Sequence, residues 1–233
     1  MFPIRDDTPR FSTPYVTWFL IGLNLLIFLF EASLDPASLN ALIRQFAVIP
    51  AHITALLSGA KGASASTSLL PVLTSMFLHG SWMHVIGNMW FLYIFGDNIE
   101  DYLGHFKYLI FYLLSGIAAM LLQVLLTPAS RVPNVGASGA IAGVLGAYFI
   151  LYPRARVLTW FPIFFVFYLP AWIMLGYWFV YQFLSGAATA ITYSSQSNQG
   201  GIAFWAHVGG FVAGIAMVKL MPQRTRTRTY GTW

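Results

Sequence analysis

Six mainly apolar runs constrain this chain more than any other feature of its sequence. They cover residues 15–34, 81–95, 106–126, 138–151, 157–184 and 202–220. A helix needs about 20 apolar residues to cross the hydrocarbon core of a bilayer, so the runs predict membrane-spanning helices. Because the second and fourth runs are shorter, we expect those helices to begin below the outer surface, shielded there by loops and other helices.

The composition favours the same interpretation. Of the 233 residues, 58% are hydrophobic and only 8% are charged, and the mean hydropathy is +0.70. A soluble domain carries about 25% charged residues, so we predict an all-α polytopic membrane protein with a bundle of six transmembrane helices. The net charge is +5, but the basic residues do not form a face interleaved with exposed aromatic residues. This distribution favours membrane lipids over nucleic acid as partners. The absence of cysteine excludes disulfides and thiolate catalysis.

The distribution of Lys and Arg predicts the orientation. If both termini are cytoplasmic, nine of these residues lie inside and only Arg44, Lys61 and Arg131 lie outside. An excess of positive charge on cytoplasmic segments is the rule for such proteins. We therefore predict a multi-pass protein of the bacterial inner membrane.

The same pattern divides the chain into segments. We expect a cytoplasmic N-terminal segment at 1–14, a membrane domain at 15–220 and a basic cytoplasmic tail at 221–233. The membrane domain includes an outer loop at 35–80. Within that loop, residues 39–53 are partly amphipathic and are expected to lie in the membrane interface. Residues 59–68 are mostly small and polar, and residues 185–201 carry no charge, so both stretches are expected to be loops.

The segment Gly136-Ala137-Ser138-Gly139 stands at the start of the fourth run. Ser138 should therefore lie near free backbone N–H groups and the positive end of the helix dipole, where an oxyanion is stabilised. The alternative is that Ser138 caps the helix and that the glycines serve helix packing.

His207, Gly210 and Gly214 begin the sixth run. Small residues on both helices would allow the close approach that a hydrogen bond from Ser138 to His207 requires. Ser138 and His207 stand thirteen residues before the ends of their runs, and His84 stands thirteen residues before Asp97. The three therefore share a depth roughly 20 Å from one face at 1.5 Å per helical residue. A lone membrane histidine also occurs in interhelical hydrogen bonds and proton relays.

His84 and Asn88 are four residues apart and share a helix face. Both can donate hydrogen bonds to a developing negative charge on a carbonyl oxygen. The competing interpretation, a metal or haem site built from His79, His84 and His207, lacks a carboxylate ligand at suitable depth and any HExxH spacing. We therefore predict neither a metal nor a cofactor.

Every Asp and Glu stands at or before Asp101, so no carboxylate is expected to orient His207 as in a Ser-His-Asp triad. A hydrolase built from these residues would use a dyad.

In its motifs the chain resembles the rhomboid intramembrane serine proteases: HGSWMHxxxN from His79, then GASG from Gly136, then AHxxG from Ala206. The likeness extends through FGDNIEDYLG at 95–104 and covers nearly the whole chain. It implies a six-helix fold that cleaves transmembrane proteins in or near the bilayer, where substrate helices unwind near the outer leaflet and present a small residue before the cut.

The resemblance also implies individual roles. Ser138 would be the nucleophile and His207 the general base and then acid, while His84, Asn88 and the backbone N–H groups of Ser138 and Gly139 would form the oxyanion hole. His79, Gly136, Gly210 and Gly214 would support this site. In one departure, Ala142 replaces the aromatic residue that stacks on the catalytic histidine in many members, so the sequence does not indicate what orients His207.

Two other functions remain open at the level of sequence. A catalytically inactive rhomboid-like membrane chaperone would share the scaffold, but we expect it to have lost Ser138 or His207. A proton-coupled transporter could use buried histidines, but the chain has no paired inverted halves. The oligomeric state does not follow from the sequence.

Overall fold

The computed structural model describes residues 1–161, 165–192 and 203–224. Long helices dominate it, namely α1 (Tyr15–Ser33), α6 (Trp82–Leu103), α7 (His105–Leu126), α8 (Ser138–Leu151), α9 (Ala171–Thr192) and α10 (Phe204–Leu220). The loop after α1 holds short helices, namely α2 (Pro36–Phe46), α3 (Pro50–Leu57), α4 (Ala65–Ser68), α5 (Leu70–Thr74) and a 3₁₀ turn (Ser75–Phe77). The predicted polytopic helical bundle is confirmed.

The lengths and surfaces of the helices suit a bilayer. Among the described residues, α1 and α7 are long and apolar enough to cross a membrane, and α6 adds a third candidate together with the segment before it, at a bend of 73°. Helices α8 and α10 are apolar but shorter. Outward-facing side chains such as Leu26, Leu121 and Leu125 are exposed, as lipid contact requires.

Helix α8 forms the centre of the bundle and packs against α6, α7, α9 and α10. All of its residues from Gly139 to Tyr148 are buried. Apolar residues on every side make this helix the protein-enclosed core of the bundle. Its N-terminus is therefore a protected place for polar chemistry.

A small antiparallel sheet accompanies the helices, with the strand order β1 (Phe2–Asp6), β2 (Arg156–Phe161) and β3 (Phe165–Pro170). The expected fifth helix at 157–184 was therefore wrong in its first part, because β2 and β3 precede α9. The expected loop at 185–201 was also wrong at its start, since α9 continues to Thr192, and residues 193–201 lie outside the described part.

The outer loop is more ordered than its sequence indicated. The expected amphipathic piece at 39–53 is broken into α2 and α3. Between them, the backbone N–H of Val48 donates to the carbonyl of Asn134 at 3.1 Å, which ties this loop to the segment before α8. The expected loop at 59–68 ends in the single turn of α4.

The second apolar run was expected to end at residue 95, but α6 continues to Leu103. Its last turns bury Glu100, which has no exposed surface. The Glu100 carboxylate accepts hydrogen bonds from the backbone N–H groups of Val16 and Thr17 at 2.9 and 2.7 Å, from the Thr17 hydroxyl at 2.7 Å, and lies 2.6 Å from His105 Nδ1. A carboxylate at a helix N-terminus satisfies free N–H groups and the helix dipole, so Glu100 fixes α1 to the end of α6.

We expect Glu100→Gln to lower the free energy of unfolding by about 1–3 kcal/mol, because the amide leaves part of the buried donor set of α1 unsatisfied. Asp97→Asn is the matched control on the same helix. The partly exposed Asp97 faces Arg10 at 3.4 Å, and such a pair contributes at most about 1 kcal/mol. Thermal unfolding in detergent measures both variants, and equal losses would contradict the role given to Glu100.

Candidate active site

Ser138 is the first residue of α8. The capping position is Ala137, and it makes no side-chain hydrogen bond to the helix, so the interpretation of Ser138 as the helix cap was wrong. The N–H groups of Ser138 and Gly139 belong to the first turn, where a helix offers them no carbonyl acceptor. The positive end of the helix dipole therefore points at the serine.

Ser138 and His207 are in hydrogen-bond contact, with 2.8 Å between Ser138 Oγ and His207 Nε2. His207 lies in the first turn of α10 and is only 8% exposed. Ser138 is half-buried. A hydroxyl beside an imidazole nitrogen at this distance has the geometry of a nucleophile and its base.

Glycines on α8 and α10 make this contact possible. A Cβ atom on Gly210 would overlap the carbonyl of Gly139, and one on Gly214 would overlap the backbone of Gly143. On the other side of α8, a Cβ on Gly139 would come within 2.6 Å of Ala119 on α7. The backbones of α8 and α10 therefore touch directly, as glycine pairs permit in membrane proteins.

His84 and Asn88 face the segment that precedes Ser138. A Cβ atom on Gly136 would lie 2.7 Å from His84 Nε2 and 3.6 Å from Asn88 Nδ2. Gly136 has φ of +126°, a conformation that other residues adopt only with strain. Gly136 therefore allows the polar ends of both side chains to approach the N-terminus of α8.

His79 lies behind this pair and is almost fully buried. Its Nε2 atom is 3.0 Å from Asn88 Nδ2, and its ring meets the ring of His84 edge to face at 5.2 Å. The backbone N–H of His79 donates to the carboxylate of Glu31 on α1 at 3.1 Å. Glu31 thereby holds the loop that carries His79.

Two of the three histidines of the alternative metal site are engaged in hydrogen bonds with other side chains. His79 pairs with Asn88, while both ring nitrogens of His207 have partners. Within the described ranges, no group of three His, Asp or Glu side chains is arranged to hold a metal ion.

Helix α9 contributes two contacts to His207 that the sequence did not reveal. Gln182 Oε1 lies 2.8 Å from His207 Nδ1, and the Trp178 ring is tilted against the imidazole at a centroid distance of 5.7 Å and an interplanar angle of 35°. Gln182 is 6% exposed. A single amide inside an otherwise apolar helix was the available signal, because buried polar groups in membranes usually have a function.

The described helices, with polar side chains gathered at the start of a buried helix, define an integral membrane protein with an enclosed Ser-His pair. A family profile described as the Rhomboid domain matches residues 66–224, which is more than half of the chain. The chain therefore belongs to the rhomboid family.

Similar proteins come from several organisms. The chain is 31% identical over 155 residues to Rhomboid protein 1, mitochondrial, of Saccharomyces cerevisiae, covering 64% of this chain and 41% of that protein. It is 42% identical over 71 residues to Rhomboid-like protein 11, chloroplastic, of Arabidopsis thaliana, covering 30% and 25%. It is 35% identical over 99 residues to Rhomboid-like protease 3 of Toxoplasma gondii, covering 42% and 37%. The matches thus span less than half the length of each relative.

We expect Gly214→Ala to lower the free energy of unfolding by about 1–3 kcal/mol, because the added methyl group must push α10 away from the backbone of α8. Gly22→Ala on α1 is the control, since a Cβ atom there meets open space, and the change should stay within about 0.5 kcal/mol. Thermal unfolding in detergent compares the two. A Gly214→Ala protein as stable as the control would contradict direct backbone contact.

Proposed function

We propose that this protein is an intramembrane serine endopeptidase that cleaves transmembrane-anchored proteins in or near the bilayer. The observation that carries the proposal is the 2.8 Å hydrogen bond between Ser138 Oγ and His207 Nε2. Its position at the N-terminus of a buried helix adds support, because the serine then has backbone N–H donors beside it.

The reaction begins as acyl transfer. Ser138 Oγ attacks the carbonyl carbon of the substrate peptide bond while His207 Nε2 accepts the hydroxyl proton. When the tetrahedral intermediate collapses, the C–N bond breaks and His207 gives its proton to the leaving amine. Water then attacks the acyl-enzyme, transferring a proton to His207, and Ser138 leaves as a hydroxyl once that proton returns to its oxygen.

The negative charge that develops on the carbonyl oxygen in the tetrahedral intermediate must be stabilised by hydrogen-bond donors. The N–H groups of Ser138 and Gly139 are free in the first turn of α8, and the side chains of His84 and Asn88 approach the same segment. One N–H of the Asn88 amide faces His79, which leaves its second N–H for the oxyanion. Preorganised donors in a water-poor site contribute several kcal/mol to catalysis.

Substrates are proposed to enter laterally beside α9. A cavity of about 360 Å³ is lined by Met1, Pro3, Phe91, Trp178 and Gln182, among others. It reaches Gln182, whose amide contacts His207, and this supports a route from the lipid side to the dyad. Pro170 ends β3 immediately before α9 and therefore does not interrupt the helix beside this route.

The orientation with cytoplasmic termini in a bacterial inner membrane belongs to the same proposal. At one end of the bundle, β1 pairs with β2, and the backbone N–H of Arg224 donates to the carbonyl of Tyr102 at 2.8 Å. Both ends of the described chain therefore lie on one side. Seven described basic residues lie in segments at this end, namely Arg5, Arg10, Lys107, Arg154, Arg156, Lys219 and Arg224. This excess supports placing that end in the cytoplasm.

We expect a fluorophosphonate probe to label the purified protein at Ser138, because the activated hydroxyl attacks phosphorus as it would a carbonyl. Labelling should vanish in Ser138→Ala and weaken in His207→Ala, with the adduct mapped by mass spectrometry. Cleavage of single-span substrates should follow the same order. A folded protein that neither labels nor cleaves would contradict the proposal and favour a non-catalytic membrane chaperone.

We expect Asn88→Leu to lower kcat by about 10²–10³ with little change in KM, because a donor to the oxyanion is lost. His79→Leu is the control for indirect effects, since it removes the partner of Asn88 but keeps the Asn88 amide. Its kcat should fall by about tenfold or less. Cleavage kinetics on one mapped substrate compare the two, and equal losses would contradict a direct role for Asn88.

A further inference from the structure

The catalytic histidine has a partner on the side opposite the serine. Gln182 Oε1 lies 2.8 Å from His207 Nδ1, and both side chains are buried. Gln182 comes from α9, whereas Ser138 and His207 come from α8 and α10. The side chains of Ser138, His207 and Gln182, one from each of three helices, thus form a continuous line of hydrogen-bond contacts.

This line of contacts fixes the position of the ring proton. A base must present the lone pair of Nε2 to the serine hydroxyl, which places the proton of the neutral imidazole on Nδ1. A proton on Nδ1 needs an acceptor, and the amide oxygen of Gln182 is at hydrogen-bond distance. The same contact holds the ring in the plane that points Nε2 at Ser138.

The structure thereby answers what orients His207. Ala142, one turn after the serine, is buried and packs against α10 at Gly210. It leaves no aromatic ring on α8 to stack on the histidine. Trp178 supplies a ring from α9 instead, at a centroid distance of 5.7 Å, and Gln182 follows it one turn later on the same helix.

We propose that Gln182 is the positioning residue of the catalytic centre, selecting the Nδ1–H tautomer of His207 in the place that a carboxylate takes in a Ser-His-Asp triad. This inference rests on the proposed protease function. A neutral amide suits the site, because a buried carboxylate would bear a desolvation cost in every state in which the histidine is neutral. The amide oxygen also stabilises the imidazolium that forms during acyl transfer.

The first test is Gln182→Met, which keeps the length and approximate volume of the side chain but removes the acceptor. Leaving the Nδ1 proton without a partner in a buried site should lower kcat by about tenfold to a hundredfold. KM should change much less than kcat, because Gln182 contacts the base and not the peptide bond, and methionine keeps the size of the side chain in the lining of the entry cavity. Cleavage kinetics in detergent on a mapped substrate supply both constants.

Rescue by Gln182→Glu separates positioning from packing. This variant keeps an acceptor oxygen at the end of a side chain of the same length, so its kcat should exceed that of Gln182→Met by several-fold. The added carboxylate favours a protonated imidazole, so the acid limb of the kcat profile should move to higher pH. Of the described groups around the ring, His84 on α6 is the other titratable side chain, while α8 presents Ser138 and α9 presents Trp178 and Gln182.

Gln123→Met is the matched control. The amide oxygen of Gln123 on α7 accepts a hydrogen bond from the backbone N–H of Ala206 at 3.1 Å, so this glutamine holds the start of α10 without touching the imidazole. Its substitution should lower the unfolding temperature. The acid limb of its kcat profile should stay at the wild-type pH.

The outcomes distinguish the two proposals. If the wild-type protein cleaves substrate and labels at Ser138, while Gln182→Met keeps wild-type kcat, the positioning role is wrong and the protease function stands. A Gln182→Glu protein no more active than Gln182→Met, with an unmoved acid limb, would likewise overturn it. If the wild-type protein neither labels nor cleaves, the protease function itself fails.

Discussion

Direct contact between the backbones of α8 and α10 is the constraint on which the site depends. Gly143 and Gly214 remove the side chains that would otherwise separate the two helices. Only at this separation does the hydroxyl on one helix reach the imidazole on the other at 2.8 Å. Lipid provides no hydrophobic force that would press helices together, so van der Waals contact along the glycine faces must hold this distance. The same glycine faces thus determine both the packing of α8 against α10 and the distance between Ser138 and His207.

Much of this arrangement follows from the sequence, because its signals are local. Long apolar runs predict helices regardless of their neighbours. Glycines at Gly139, Gly210 and Gly214 indicate close approach, and polar residues such as Ser138 and His207 stand out in apolar surroundings. The positions of these residues near helix starts could be predicted for the same reason. Their hydrogen bond could be predicted only as a consequence of helix packing.

The features that the sequence did not predict depend on contacts between distant segments. The second run was expected to end at residue 95, but α6 continues beyond it and buries the Glu100 carboxylate among donors from the start of α1. Strands β2 and β3 merge with α9 into one apolar run, because Trp160, Phe165 and neighbouring residues leave no polar alternation to reveal a strand. The partner of Gln182 is the histidine 25 positions later, at a distance that no local pattern records.

Strand β1 illustrates how the order of synthesis relates to the finished molecule. Phe2 pairs with Trp160 across the sheet, and the Phe2 ring stacks on the Trp90 ring at a centroid distance of 5.6 Å. The partner strand follows α1, α6, α7 and α8 in the chain, so β1 stays unpaired until β2 has been made. The sheet is therefore completed only after these four helices have been synthesised. It joins β1 to the hairpin from which α9, the carrier of Gln182, departs.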